Sequence, residues 1–407
     1  MKKMKILIGQ HKLQLELWFG FLILLGCVLA YFQLLSNLTT NYHPVWSDEF
    51  GYYINTQSFF ENSTLKAAIT LSGEGSAVFG ADPHGFAYPL FHGCIAKIFG
   101  WSNLNFIITN FILLTVSILM VWSIKSIDAR HKLWISSCIL LFPFVPLYLF
   151  TYMQEIIHIS VAIIVSVLIY LIYSKENNNT IYIVLFILTI FIAGCFRVLW
   201  FFWLIGLIPL AKDKRQGIAY LLLFAFGIII SFVFSKLFAE AVPNKFSSII
   251  AFLKNGELKN VFASVYYNFI KNIMLYFFSM QKGGVYVFMK FTIFGAVLFF
   301  TFLAFRNKSR LNIALALIGI VNFVLLFLIY DAFDWREIRT MSALYYFYVL
   351  FIIIETKGIS RYIQALFLLV VFVLNYNTSK RTISERNFID VPKMEKERMA
   401  YSEISQR

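Results

Sequence analysis

The chain has 407 residues, 60% of them hydrophobic, 19% aromatic and 14% charged, with a formal net charge of +14. Its mean hydropathy of +0.75 excludes a water-soluble domain and predicts an all-α polytopic membrane protein. In that setting the positive charge reflects topology rather than nucleic-acid binding. Cys27, Cys138 and Cys195 lie in or beside apolar runs, so no disulfide framework is implied.

A bilayer core of about 30 Å needs roughly 20 apolar residues per helix. Lys2, Lys3, Lys5 and Lys12 precede a first apolar run at 17–35. No small-residue cleavage site follows it, so it reads as a retained signal anchor. Runs at 104–124, 218–235 and 311–330 are uncharged and long enough to span. Further candidates are 133–150, 156–173, 181–196, 198–211, 285–305, 341–354 and 362–376, the shorter of which need polar ends that reach the interface. The expected total is about eleven spans.

Lysine and arginine mark cytoplasmic loops. Lys125, Arg130 and Lys132, then Lys212, Lys214 and Arg215, then Arg306, Lys308 and Arg310 fall in alternate loops. The N-terminus is therefore expected in the cytoplasm and the loop after the first span outside it, in a bacterial inner or plasma membrane.

Two extracytoplasmic segments exceed simple connectors, 36–100 and 240–284. The first sets Asp48, Glu49, Glu61, Glu74 and Asp82 against only Lys66 and Lys97. In the second, Leu258, Val261, Phe262, Val265, Tyr266, Phe269 and Ile270 recur at helical spacing, with Lys259, Asn260 and Lys271 off the stripe, as in a helix lying in the membrane interface. Reading 261–280 as a span would carry Arg306, Lys308 and Arg310 outside, against the charge bias. Residues 377–407 mix charges without apolar periodicity and read as a solvated polar tail after a single transmembrane domain over 1–376.

Three short motifs stand out. Asp48-Glu49 follows the first span and leads into Tyr52 and Tyr53; the run from Gly80 to Leu90 contains His84 and Tyr88; and Asp334-Trp335-Arg336-Glu337-Ile338-Arg339 precedes a late span. Together they resemble the C superfamily of membrane glycosyltransferases, which includes protein O-mannosyltransferases and the aminoarabinose transferase of lipid A. The acidic pair looks like the family's pair in the first extracytoplasmic loop, and the His84 run looks like its histidine-proline-tyrosine segment. The resemblance implies about a dozen spans, loop helices and transfer of a sugar from a lipid-linked donor. A separate soluble C-terminal domain like that of many relatives is not expected, which leaves the acceptor class open.

The residues fit that chemistry on their own terms. Outside the cell there are no nucleotide sugars, so the donor partner would be a sugar on a polyprenyl phosphate or pyrophosphate. An acceptor hydroxyl attacking the anomeric carbon must lose a proton, and Asp48 is the candidate base. Glu49 is the second catalytic candidate, and one of the two acids would orient its partner, the acceptor or a metal. The leaving phosphate suits the planar donors of Arg336, Arg339 and Arg197. Such cations can replace a divalent ion, so a metal is possible but not required, and no other cofactor is expected. Tyr52, Tyr53 and Tyr88 could stack on sugar rings.

Each residue also has a plainer role. An acid after a span caps a helix, His84 sits in a Pro-Gly turn, and arginines and tyrosines anchor helix ends at headgroups. Glu155 and His158, one helical turn apart, fit packing or a polar contact with a neighbouring helix. Two other functions share the composition. A polysaccharide polymerase or ligase would place its chemistry in the 240–284 segment, and a transporter or flippase for lipid-linked sugars would line a pathway with intramembrane charges such as Lys290.

Overall fold

The computed structural model describes residues 2–39, 42–45, 47–68, 85–174, 179–238, 245–278, 284–329, 337–355 and 359–387, and all regular structure among them is helical. Helix α1 (Lys2–Leu35) is followed by α2 (Ser47–Asn62), α3 (Ala87–Phe99), α4 (Asn105–Ser123), α5 (Ala129–Leu141), α6 (Phe144–Tyr148), α7 (Glu155–Tyr173) and α8 (Asn179–Phe196). A 3₁₀ helix over Val198–Leu210 leads to α9 (Lys214–Phe238), α10 (Lys245–Lys254), α11 (Leu258–Phe278), α12 (Gly284–Asn307) and α13 (Arg310–Ile329). A 3₁₀ turn over Glu337–Met341 then enters α14 (Ser342–Glu355) and α15 (Ile359–Asn387).

The predicted apolar runs are helical over most of their described length, and the chain is a multi-pass membrane protein. Among the described residues six segments are long and apolar enough to cross a bilayer, in α1, α4, α7, α9, α12 and α13. Thr180–Phe196 and Val198–Leu210 are shorter apolar helices. The expected eleven is therefore not reached on length and apolarity alone. One reason is the run 133–150, which breaks at Pro143. Phe142 takes the extended conformation that a residue before proline prefers, leaving α5 with only 13 residues.

The 3₁₀ helix is a second departure from a regular bundle. At about 2 Å per residue its 13 residues reach about 26 Å, where an α-helix would reach about 20 Å. Dense packing supports this unusual length. Trp200, Phe201, Phe202, Trp203, Leu204 and Leu207 are buried, and Trp203 Nε1 donates to Asn322 Oδ1 at 3.0 Å. Glycines admit the bulk: a Cβ on Gly194 would stand 2.4 Å from Phe201 Cζ, and one on Gly227 2.8 Å from Leu204 Cδ1.

The chain forms two compact units. The first comprises residues 1–49, 102–167 and 346–390. Within it α1, α4 and α15 pack on α5, and α15 also packs on α6. Tyr31 Oη donates to the Leu140 carbonyl at 2.7 Å, and Asn110 Nδ2 donates to the carbonyls of Leu149 and Thr151 at 3.3 and 3.1 Å. Arg130 pairs with Glu16 at 3.0 Å.

In this unit the C-terminus differs from the expected tail. Helix α15 continues from the apolar run through the charged segment to Asn387. Leu368, Phe372, Asn375, Ser379, Ile383 and Arg386 are buried at steps of three and four, so one face persists after hydrophobicity ends. Residues 388–407 of the expected tail lie outside the described residues.

The second unit comprises residues 50–101, 168–345 and 391–407. Here α8, α9 and α13 pack against the 3₁₀ helix, α12 packs on α13, and α3 packs on α8. The stripe from Leu258 to Ile270 does fall on a helix, α11, but its faces are inverted relative to a soluble amphipathic helix. Leu258, Phe262, Tyr266, Ile270, Met274 and Phe278, four apart, point outward, while Asn268, Asn272 and Tyr276 are buried. Asn272 Nδ2 donates to the Phe327 carbonyl at 2.8 Å and Asn268 Nδ2 to the Leu328 carbonyl at 2.9 Å. The last carbonyls of α13 have no partner within their own helix, and these amides supply one.

Candidate functional site

Asp48 and Glu49 occupy the first turn of α2, where the helix dipole favours negative charge. Their environments differ sharply. Glu49 is 0% exposed, whereas Asp48 is half-buried. Glu49 Oε1 accepts from the backbone N–H of Tyr152 at 2.9 Å and from Arg386 Nη2 at 2.8 Å. Its Oε2 accepts from the backbone N–H of Val45 at 2.9 Å. A carboxylate so far from water needs these partners, because an uncompensated buried charge costs several kcal/mol.

Tyrosines close the setting. Tyr152 Oη donates to the carbonyls of Tyr42 at 2.9 Å and Asn103 at 3.1 Å, and Tyr42 Oη donates to the Phe150 carbonyl. The Arg386 guanidinium lies over the Tyr42 ring, 6.0 Å from its centroid. Burial raises the Tyr42 phenol above its ordinary range; the Arg386 charge opposes the rise and Glu49 adds to it. At the neighbouring position Asn387 Nδ2 donates to the Asn37 carbonyl at 2.6 Å, and Asn387 Oδ1 accepts from Thr39 Oγ1 at 2.9 Å.

Tyr152, Tyr42 and Arg386 are not among the candidates that the sequence offers. Arg386 has one legible signal, the three- and four-residue stripe that runs into it from Leu368. Asn375 and Ser379 interrupt its hydrophobicity, so apolar periodicity misses it. Glu155 and His158, at the start of α7, are each 1% exposed, as packing predicts.

In the second unit Tyr52 on α2 meets Tyr88 on α3 at a ring distance of 4.6 Å, and Tyr88 meets His92 at 4.4 Å. Tyr53 instead meets Trp101 at 5.4 Å. Tyr52, Tyr53 and Tyr88 are 3%, 8% and 1% exposed, so in this conformation their faces hold helices together. Gly93 permits the close approach of α2 and α3, since a Cβ there would stand 2.4 Å from Phe59 Cδ1. Burial holds the His92 imidazole down at about 3, hence neutral at physiological pH.

Arg197 is half-buried at the entry to the long 3₁₀ helix, with extended backbone (φ −151°, ψ 115°), and its N–H donates to the Ala193 carbonyl at 3.0 Å. Arg339 is half-buried in the 3₁₀ turn before α14. His84 and Arg336 lie outside the described residues.

Among the described residues no three His, Cys, Asp or Glu side chains gather as a ligand set. Glu49 Oε1 already carries the Arg386 cation, which would repel a metal ion at that oxygen.

No family model and no curated protein matches this sequence. Among solved structures, the oligosaccharyltransferase of Archaeoglobus fulgidus, determined with zinc and sulfate, superposes with a TM-score of 0.51 and 14% identity. The match covers 88% of this chain and 53% of that one, so the chain spans about half the length of the transferase. ArnT from Cupriavidus metallidurans bound to undecaprenyl phosphate has a TM-score of 0.49 and 14% identity, covering 86% of this chain and 62% of its own. Over the length they share, the chain has the fold of that oligosaccharyltransferase.

Proposed function

We propose that the chain is an integral membrane glycosyltransferase that moves a hexose or pentose from a polyprenyl-phosphate-linked donor to an acceptor on the extracytoplasmic face. The observation that carries this reading is the division of labour within the acidic pair. Glu49 is buried and saturated by Val45, Tyr152 and Arg386, while the adjacent Asp48 remains half-buried at the helix N-terminus. The fold shared with an oligosaccharyltransferase supports the reaction class.

In this reading Asp48 takes the proton of the acceptor hydroxyl as its oxygen attacks the anomeric carbon. The bond from that carbon to the phosphate oxygen breaks, and its electron pair leaves with the phosphate. Arg197, Arg336 and Arg339 are assigned to that phosphate, because guanidinium donors stabilise charge that develops on its oxygens. Glu49 orients the turn and takes no proton. The acceptor is a cell-envelope glycan, a lipid or a protein.

The test is sugar transfer from radiolabelled polyprenyl-phosphate sugars by purified protein in lipid. Asp48→Asn abolishes transfer while the protein stays folded and inserted. Substantial turnover by Asp48→Asn removes it from the base role, and binding or movement of the lipid without turnover by either protein favours a transporter.

A further inference from the structure

We infer that Arg386, in the last turn of α15, is a positioning residue for the candidate base: through Glu49 it holds the first turn of α2 and so sets where the Asp48 carboxylate stands. The inference rests on the reading of Asp48 given above. Its physical basis is that Glu49 is a junction. One oxygen takes the N–H of Val45, on the arm that leads into α2, and the other takes the N–H of Tyr152 from the segment before α7. Arg386, 2.8 Å away, is the countercharge that a carboxylate at 0% exposure requires, so it holds the junction in place.

Arginine suits the place because its planar group reaches Glu49 while lying over the Tyr42 ring. Tyr42 and Tyr152 are themselves bonded, so the ring of contacts returns to the segment that donates to Glu49. Asn387 fastens the start of the same arm at Asn37 and Thr39. The last two residues of α15 thus grip the chain on both sides of residues 40–41. Asp48 and Glu49 are neighbours in one helical turn, so a shift of one moves the other. A displacement of about 1 Å at a reacting group costs about 100-fold in rate.

The experiment uses full-length protein in nanodiscs with a polyprenyl-phosphate sugar as donor, and compares Arg386→Met, Arg386→Lys, Asp48→Asn and Arg130→Met, which breaks a different ion pair. A second readout needs no activity: the rate of maleimide labelling of Val45→Cys in a Cys94→Ser background. Arg386→Met is expected to lower kcat about 100-fold, to leave the donor KM within about threefold and to speed labelling at position 45 about tenfold. Arg386→Lys is expected to recover about tenfold of the rate, and Arg130→Met to change neither readout.

Unchanged labelling in Arg386→Met overturns the inference whatever the activity. If Asp48→Asn is inactive while Arg386→Met keeps kcat within about threefold, the positioning role falls and the base reading stands. If Asp48→Asn is fully active while Arg386→Met is slow and labels fast, the base reading falls and Arg386 positions the turn for another group.

Discussion

The backbone N–H of Tyr152 and the guanidinium of Arg386 meet at one atom, Glu49 Oε1, at 2.9 and 2.8 Å. Residues 103 and 337 positions away in sequence therefore share a single acceptor, and the loss of either is felt by the other.

Glu49→Gln leaves Arg386 buried beside a neutral amide. Breaking one side of a buried pair costs about 3–5 kcal/mol, whereas replacing both partners is close to neutral. The expected result is a large fall in the thermal midpoint for Glu49→Gln and recovery of most of it in Glu49→Gln/Arg386→Met. Additive losses in the double variant would remove the pair as the cause.

Chelation is expected to leave transfer within about twofold, since Arg386 already compensates Glu49 and, in the proposed reading, arginine compensates the leaving phosphate. The check is the initial rate before and after EDTA dialysis. Activity that falls and returns with added divalent ion would show that the acidic pair works through a metal.

His92 gives the fold a pH dependence. The unfolded side chain takes a proton near 6.5, while burial holds the folded side chain down to about 3. Its contribution to stability is therefore complete above about pH 7 and declines as the pH falls, by about 1.4 kcal/mol per unit. Between pH 7 and 5 the expected loss is about 2 kcal/mol. Denaturation midpoints at the two pH values measure it, and His92→Phe is expected to flatten the difference.

Gly194→Ala is expected to cost about 1–3 kcal/mol, because the new methyl meets the buried Phe201 ring at 2.4–2.7 Å. Gly26→Ala is the control: nothing lies within 4 Å of where its methyl would stand, and alanine favours the helix. A thermal midpoint for Gly194→Ala equal to that of the control would show that the 3₁₀ helix repacks freely.

What the sequence determined by itself follows from short-range rules. Apolar runs locate helices because backbone groups in lipid must bond within their own segment, so 104–124 and 311–330 became α4 and α13 within one or two residues. The acidic pair after the first span was legible for a related reason, since charge there has no place in the bilayer core. Apolar spacing also located helix α11, but not that its asparagines face inward, because that depends on the carbonyls at the end of α13.

Only the tertiary structure separated Asp48 from Glu49. Adjacent acids look alike in sequence, and their difference lies in contacts made by Tyr152 and Arg386. Arg386 read as part of a solvated tail because charge in a polar stretch ordinarily marks water. Here a long helix carries it into the interior, where an existing carboxylate makes the burial of a cation favourable, and no local pattern encodes the partner.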